Sequence, residues 1–472
     1  MHLLKTGMLG TVLLAATPAA ARAAEGTGLD GQTLGLIWCV PFAGLILSIA
    51  LFPLLAPAFW TRHYGKVAAF WSLAFLLPLL AAMGATTSFA VLRDTVLEEY
   101  LPFIVLMFAL FTVSGGIRTI GGLSGSPLSN TALLALGTVL ASVIGTAGAP
   151  ILLVRPLIHA NAWRRHSAPV FIFFIFLVCN IGGALTPIGN PPLFLGFLQG
   201  VAFFWPMTHL WAPALLSVAI LLGLFLAIDT VLYRRESHAA RPTVVTRFRI
   251  GGRRNLVLLV AVIVTVVLCG AWEPGIAIGV LGTKVELQNL VRDGVLVLLA
   301  LVSLKITHAD IHQANGFSWG PMLEVAKLFA AIFIALVPAT AILQAGAEGA
   351  LASWIDLLIG PDGRPVNALY FWFSGGLSSV LDNAPTYLML FNTAGGDPHV
   401  LMGPLAGTLA AISAGAQFMG ANTYIGNAPN FMVKSICEER GIRMPSFFGY
   451  MLWSGLILEP LFLLLMVLFF WP

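Results

Sequence analysis

The chain has 472 residues, of which 58% are hydrophobic and only 9% charged, and its net charge is +4. Soluble domains are about 25% charged, so these proportions exclude an ordinary water-soluble globule. The basic excess falls in short loops between apolar runs, where it sets membrane orientation rather than nucleic-acid binding. Membrane lipid is therefore an expected partner and nucleic acid is not.

In chain order, the first predicted element is a signal peptide over residues 1–24. Lys5 supplies the basic start, Met8 to Ala16 the apolar stretch, and Ala21-Arg22-Ala23 a small-residue cleavage pattern. Removal of this segment would leave the mature N-terminus outside the cytoplasm. Apolar segments follow at 34–56, 67–84, 99–117, 131–158, 168–204, 210–233, 255–272, 290–306, 319–344, 367–393, 401–436 and 446–470. Runs of about 18 to 25 apolar residues suit helices that cross a bilayer. They lack the alternation of outer-membrane strands. The expected fold is an all-α polytopic membrane protein in a bacterial-type inner membrane.

Two of these segments are interrupted. Gly145-Thr146-Ala147-Gly148-Ala149-Pro150 breaks 131–158, and Asp382-Asn383-Ala384-Pro385 breaks 367–393. If both crossed the membrane, the basic clusters would scatter over its two faces. If each enters and returns as a re-entrant hairpin, one face collects Arg62, Lys66, Arg118, Arg164, Arg165, the Arg-rich stretch 234–254, Arg440 and Arg443. That face is the cytoplasmic one, and the C-terminus then lies outside. Irregular backbone at such tips is tolerated where it lines a cavity.

A repeat is also legible. Thr186-Pro187-Ile188-Gly189-Asn190-Pro191-Pro192 is matched by Thr423-Tyr424-Ile425-Gly426-Asn427-Ala428-Pro429, and each copy follows an Ala-Pro break at a similar distance. An odd number of crossings per half turns the second half upside down. The predicted organisation is a first repeat over 25–233, a basic cytoplasmic linker over 234–254 and an inverted repeat over 255–472. Each repeat carries a re-entrant hairpin and a discontinuous helix, the plan of many secondary transporters.

A helix broken at membrane depth exposes N–H groups at one end and carbonyls at the other. The candidate ion- or substrate-binding residues are Thr146, Thr186, Gly189, Asn190, Asp382, Asn383, Asn422, Thr423 and Asn427. Asp382 is the acid among them. A membrane-buried carboxylate is costly unless paired or bound to a cation, so a proton and a transported metal ion would compete for it. A plain helix N-cap would equally place an Asp there. Glu324 and Lys327 either relay protons or pair with each other one turn apart. Arg155 and Lys434 either hold a substrate carboxylate or snorkel to the cytoplasmic face.

Cys39, Cys179, Cys269 and Cys437 are isolated. The chain has no HExxH or Walker A pattern. Neither an enzyme nor a resident cofactor is expected. Sodium ion and proton, or an organic anion, would be cargo moved by an ion gradient.

These motifs resemble the ion transporter superfamily, in particular sodium/proton antiporters of the NhaD type and citrate transporter-like proteins. Asn180-Ile-Gly-Gly-Ala-Leu-Thr-Pro-Ile-Gly-Asn190 is similar to the first broken helix of the NhaD type. Ser378-Ser-Val-Leu-Asp382-Asn383-Ala-Pro385 is similar to its Asp-Asn-x-Pro tip, and Phe317 to Phe329 resembles the helix before it. The family often has Asp where this chain has Asn190. The resemblance covers essentially the whole chain after the signal. It implies two hairpins, two discontinuous helices, a homodimer with scaffold and transport domains, and elevator-type motion.

Overall fold

Apolar runs without water must satisfy their backbone internally, and helices do so within one segment. The computed structural model describes residues 29–120, 124–236, 249–272, 274–315, 317–361 and 363–471. The predicted signal peptide and most of the basic linker lie outside them. Among the described residues, eight helical stretches are long and apolar enough to cross a membrane. They are Leu36–Pro53, Pro57–Gly115, Pro127–Asn161, Ala168–Leu185, Trp205–Arg234, Arg253–Ala271, Gly320–Gln344 and Phe447–Phe470. Among the described residues, sheet is limited to two short two-stranded ribbons.

Two of these stretches are too long for one straight crossing. Pro57–Gly115 has 59 residues. As one helix it would run about 90 Å, against a hydrocarbon core of about 30 Å. The chain leaves the helical region at Gly84, with φ 80°, at the end of the expected segment 67–84. Pro127–Asn161 breaks likewise at Gly145, with φ 83°. Near its two ends the Asn130 and Asn161 side chains exchange hydrogen bonds of 2.9 Å in both directions. A straight helix would hold residues 31 apart about 46 Å from each other. The segment therefore folds back on itself at Gly145.

The stretch 367–393 does the same. Asn367–Val380 ends at an extended Leu381, and Asn383–Thr393 begins behind Asp382 as N-cap. The Tyr370 hydroxyl donates to the Thr393 carbonyl at 3.4 Å, joining the two ends. The stretches 168–204 and 401–436 are broken rather than folded back. The first runs as Ala168–Val178, a 3-10 turn Ile181–Leu185 and Pro191–Leu198. The second runs as Ala406–Phe418, a 3-10 turn Met419–Asn422 and Ala428–Glu439.

The helices form two groups. Val40–Leu55, Pro57–Asp94, Leu101–Gly115, Arg253–Ala271, Leu287–Ile306 and Gly320–Gln344 pack mainly on one another. The folded-back and broken segments form the other group, interleaved across the halves. Asn383–Thr393 packs on Pro191–Leu198, and Ala428–Glu439 packs on Pro127–Asn161. This second group holds the most completely buried stretch of chain, Val170 to Cys179, with every residue at 0% exposure.

One end of the molecule gathers several basic segments. The strand Arg118–Ile120 pairs antiparallel with Arg249–Gly251, and the Asn255 amide donates to Gly116 O and to Thr307 Oγ1. Glu236 accepts from the backbone of Arg165 and His166. The C-terminal end of the linker 234–254 is thereby held as a strand. Gly252, with φ 77°, makes the turn into Arg253–Ala271. A second ribbon, Ala277–Val280 with Thr283–Glu286, had no sequence signal; Thr283 and the Leu281 carbonyl anchor it to Asp94 and Arg93.

Candidate functional site

Each break is held by threonine. Thr186 Oγ1 donates to the Ser142 carbonyl, and Thr423 Oγ1 donates to the Ser379 carbonyl. Both bonds span 44 positions. The same hydroxyls then accept from the N–H of Gly189 at 3.1 Å and of Gly426 at 3.0 Å. Ser142 Oγ donates to the Gly182 carbonyl and Ser379 Oγ to the Met419 carbonyl, each across 40 positions. One constant offset therefore carries Ser142, Gly182, Thr186, Gly189 and Asn190 onto Ser379, Met419, Thr423, Gly426 and Asn427.

Glycine is required where these loops cross. A Cβ on Gly189 would lie 2.2 Å from the Gly183 carbonyl oxygen, and one on Gly426 would lie 2.6 Å from that of Gly420. The first tip is tied to its loop by Thr146, whose N–H donates to Gly189 O at 2.8 Å and whose hydroxyl donates to Asn190 Oδ1 at 3.1 Å.

The offset also relates contacts between the halves. Asn190 Nδ2 donates to Gln417 Oε1 at 2.7 Å, while Asn427 Nδ2 donates to Asn180 Oδ1 at 3.2 Å. Gln417 is the offset counterpart of Asn180, so each half gives the other the same contact. Asn180 also donates to Asn430 Oδ1 at 2.8 Å. Asn180, Gln417 and Asn430 were not singled out from the sequence. Extending the Ile-Gly-Asn-x-Pro alignment backwards by ten residues would have pointed to the first two.

Both tips and both broken loops meet at a cavity of about 60 Å³, room for a few waters or an ion with part of its shell. Its polar wall includes Gly145, Thr146, Gly189, Asn190, Asp382 and Asn427, and its apolar wall includes Leu106, Leu110, Val325 and Phe329 from the other helix group. Of the sequence-predicted residues, these five line it: Thr146, Gly189, Asn190, Asp382 and Asn427. Thr186 and Thr423 stand behind the wall as braces. Asn383 is fully buried beside Asp382, and neither its amide nitrogen nor its oxygen has a hydrogen-bond partner. Asn422 lies away from the lining and donates at 2.9 Å to Glu459, a residue for which the sequence offered no motif.

Asp382 is the one charged side chain in the lining. It also caps Asn383–Thr393, its Oδ1 accepting from Ala384 N–H at 3.1 Å, so the cap and the cavity position coincide. Glu324 and Lys327 make no ion pair with each other. The Trp60 indole donates to Glu324, and the Lys327 ammonium sits 5.4 Å from the Tyr64 ring centre. Their neighbours Val325 and Phe329 face the cavity instead. Lys434 pairs with Glu438 at 2.8 Å, and Arg155 lies near Glu439 and Arg440. Neither cation lines the cavity. Among the described residues no group of three His, Cys, Asp or Glu side chains could hold a metal.

Two helices begin at the polar wall. Asn190 and Asn427 are the N-cap residues of Pro191–Leu198 and Ala428–Glu439, and neither side chain makes a capping bond. Their free first-turn dipoles favour negative charge. Yet Pro191, Pro192 and Pro429 have no N–H, so the donors are few.

Fold and cavity together define a polytopic helical membrane protein with a partly open cavity between two helix groups, one wall of which carries Asp382 and neutral polar side chains. A family model described as "Putative citrate transport" matches residues 31–470, and the chain belongs to that family. Family and membrane helices make it a secondary transporter. No curated protein matches the chain.

Proposed function

We propose that the protein exchanges sodium ions for protons across a bacterial-type inner membrane by alternating access. The carrying observation is the lining of the cavity: one carboxylate, neutral side-chain and backbone oxygens, and no Lys or Arg. A lone carboxylate in such a site stays charged only with a cation and otherwise takes a proton. Asp382 would bind the cargo ion, with Asn383, Thr146, Asn190 and Asn427 close by and Thr186, Gly189, Asn422 and Thr423 shaping the loops. The unpartnered Asn383 amide fits a group awaiting a ligand.

The hydrogen bonds repeated at one offset support two inverted repeats over 25–233 and 255–472. The returning ends at Asn130/Asn161 and Tyr370/Thr393 support re-entrant hairpins. The apolar wall contributed by the other helix group supports a scaffold against which the polar wall slides, in a homodimer as the resemblance implies. The gathered basic ends are assigned to the cytoplasm and both termini to the outside.

A second reading, a citrate or other organic-anion carrier coupled to sodium or protons, is favoured by the family description and by the two helix N-termini. The prolines at those N-termini and the absence of a cationic lining residue weigh against a polyanion. The deciding experiment uses purified protein in proteoliposomes under an imposed pH gradient. Sodium-dependent collapse of the gradient, lost in Asp382→Asn, is expected. Citrate uptake with no sodium-dependent proton flux would replace this reading by the second.

A further inference from the structure

The offset that relates the two halves extends to the helices that close them. It carries Trp205–Arg234, which packs on the turn Ile181–Leu185, onto Phe447–Leu465, which packs on the turn Met419–Asn422, where Ser454 Oγ donates to Asn422 O. Applied to the next turn and to the broken loops, it carries Leu222 onto Glu459 and Leu185 onto Asn422. In the first half these two leucines pack as apolar neighbours of the core. In the second half a carboxylate and an amide occupy their places and bond to each other at 2.9 Å. Leucine is thus compatible with the architecture, and the polar pair answers no demand of packing.

The pair is also incompletely satisfied. Asn422 is 9% exposed; its Nδ2 donates to Ser379 Oγ at 3.0 Å and to Glu459 Oε1, and its Oδ1 has no partner. Glu459 is half-buried in a membrane-spanning helix, between the fully buried Leu458 and the exposed Leu456. No ion pair reaches Glu459 among the described residues. Met419–Asn422 and Met466–Phe470, packed on its helix, bring no titratable side chain, and Tyr424 stacks on Tyr450, more than two turns before Glu459. The titratable group of its own helix is Tyr450, which donates to Ala421 O. An ionised carboxylate with one amide donor is costly at that depth, whereas a carboxylic acid is not. The acid would also supply the O–H donor that Asn422 Oδ1 lacks.

We propose that Glu459 is a second proton-binding residue, positioned to act through Asn422 on the second broken loop. Ionised, it can only accept, as in the bond from the Asn422 amide nitrogen to Glu459 Oε1. Protonated, it donates to the Asn422 oxygen. The amide then turns over, and its bond to Ser379 Oγ, beside the Thr423–Ser379 brace, is exchanged. The second half thereby senses protons at a position where the first half has only leucines. This rests on the transport reading above but not on the identity of the cation at Asp382.

The test is an infrared pH titration of the purified full-length protein without transported cation, paired with pH profiles of transport. A protonation-dependent carboxyl band that persists in Asp382→Asn and disappears in Glu459→Gln is expected, with one flank of the transport profile flattened in Glu459→Gln. Glu459→Leu, which installs the side chain that the first half accepts, should give a folded protein with the same lost band. An unchanged carboxyl titration in both Glu459 variants would overturn the proposal. Absence of sodium/proton exchange in the unaltered protein would overturn the Asp382 reading alone, because the infrared signal needs no cargo.

Discussion

Replacing Gly189 by alanine tests whether the crossed loops set the geometry of transport. The added Cβ would lie 2.2 Å from the Gly183 carbonyl oxygen and 2.8 Å from its carbon. Contacts under 3.0 Å force a shift, and the obstacle is backbone, not a flexible side-chain end. The loop must therefore move by about 0.8 Å. Overpacking of this kind costs about 1–3 kcal/mol. Displacing a positioned binding group by about 1 Å costs on the order of a hundredfold in rate. Asn190 and the Thr146–Gly189 bond would move with it. The counterpart Gly426→Ala meets oxygens of Gly420 and Ser378 at 2.6 Å and should be milder. Gly455→Ala meets nothing within 4 Å and is the control. The assay is initial transport rate in proteoliposomes alongside thermal unfolding in detergent. The expected order of loss is Gly189→Ala, then Gly426→Ala, with Gly455→Ala unaffected. Wild-type transport and stability in Gly189→Ala would refute the reasoning.

Other outcomes follow from the same bonds. Arg164 and Asp229 form an ion pair with both side chains fully buried, joined by Asn130 and Asn161 at the base of the first folded-back segment. Arg164→Ala should cost about 3–5 kcal/mol by stranding Asp229, whereas Arg164→Met with Asp229→Leu should cost much less; thermal unfolding distinguishes them. Thr186→Val and Thr423→Val each remove the hydroxyl that braces a broken loop and should cost about 1 kcal/mol apiece, read by the same melts. Burial raises the Glu236 carboxyl, but the N–H groups of Arg165 and His166 and the His166 ring outweigh it, so it titrates below the usual value. A lowered carboxyl stabilises fully above its unfolded value and loses that contribution as pH falls through the folded one. The stability gap between wild type and Glu236→Gln should therefore be present at neutral pH and close on acidification below about 4; a gap that widens there would contradict it.

The sequence by itself determined the class. Nine per cent charge and long apolar runs leave no soluble surface, and glycine and proline at 145–150 and 187–192 mark where helices cannot continue. The repeated Ile-Gly-Asn-x-Pro exposed the pairing of Asn190 with Asn427, because glycine and proline constraints are local and survive in the chain order. Asp382 was legible for the same reason, as an acid in an otherwise apolar stretch. The partners of these residues were not legible. Gln417 meets Asn190 across 227 positions, and Asn422 meets Glu459 from another helix. Glutamine within Ala406–Phe418 and glutamate within the last helix look like stray polar residues until packing brings each to a matched partner. Glu324 and Lys327 show the converse: their spacing invites an ion pair, but packing gives each an aromatic ring on another helix. Tertiary structure alone decided which polar groups face the cavity and which brace it from behind. That choice depends on how two broken segments, far apart in the chain, cross at Gly183/Gly189 and Gly420/Gly426, where only the absence of a side chain lets the backbones touch.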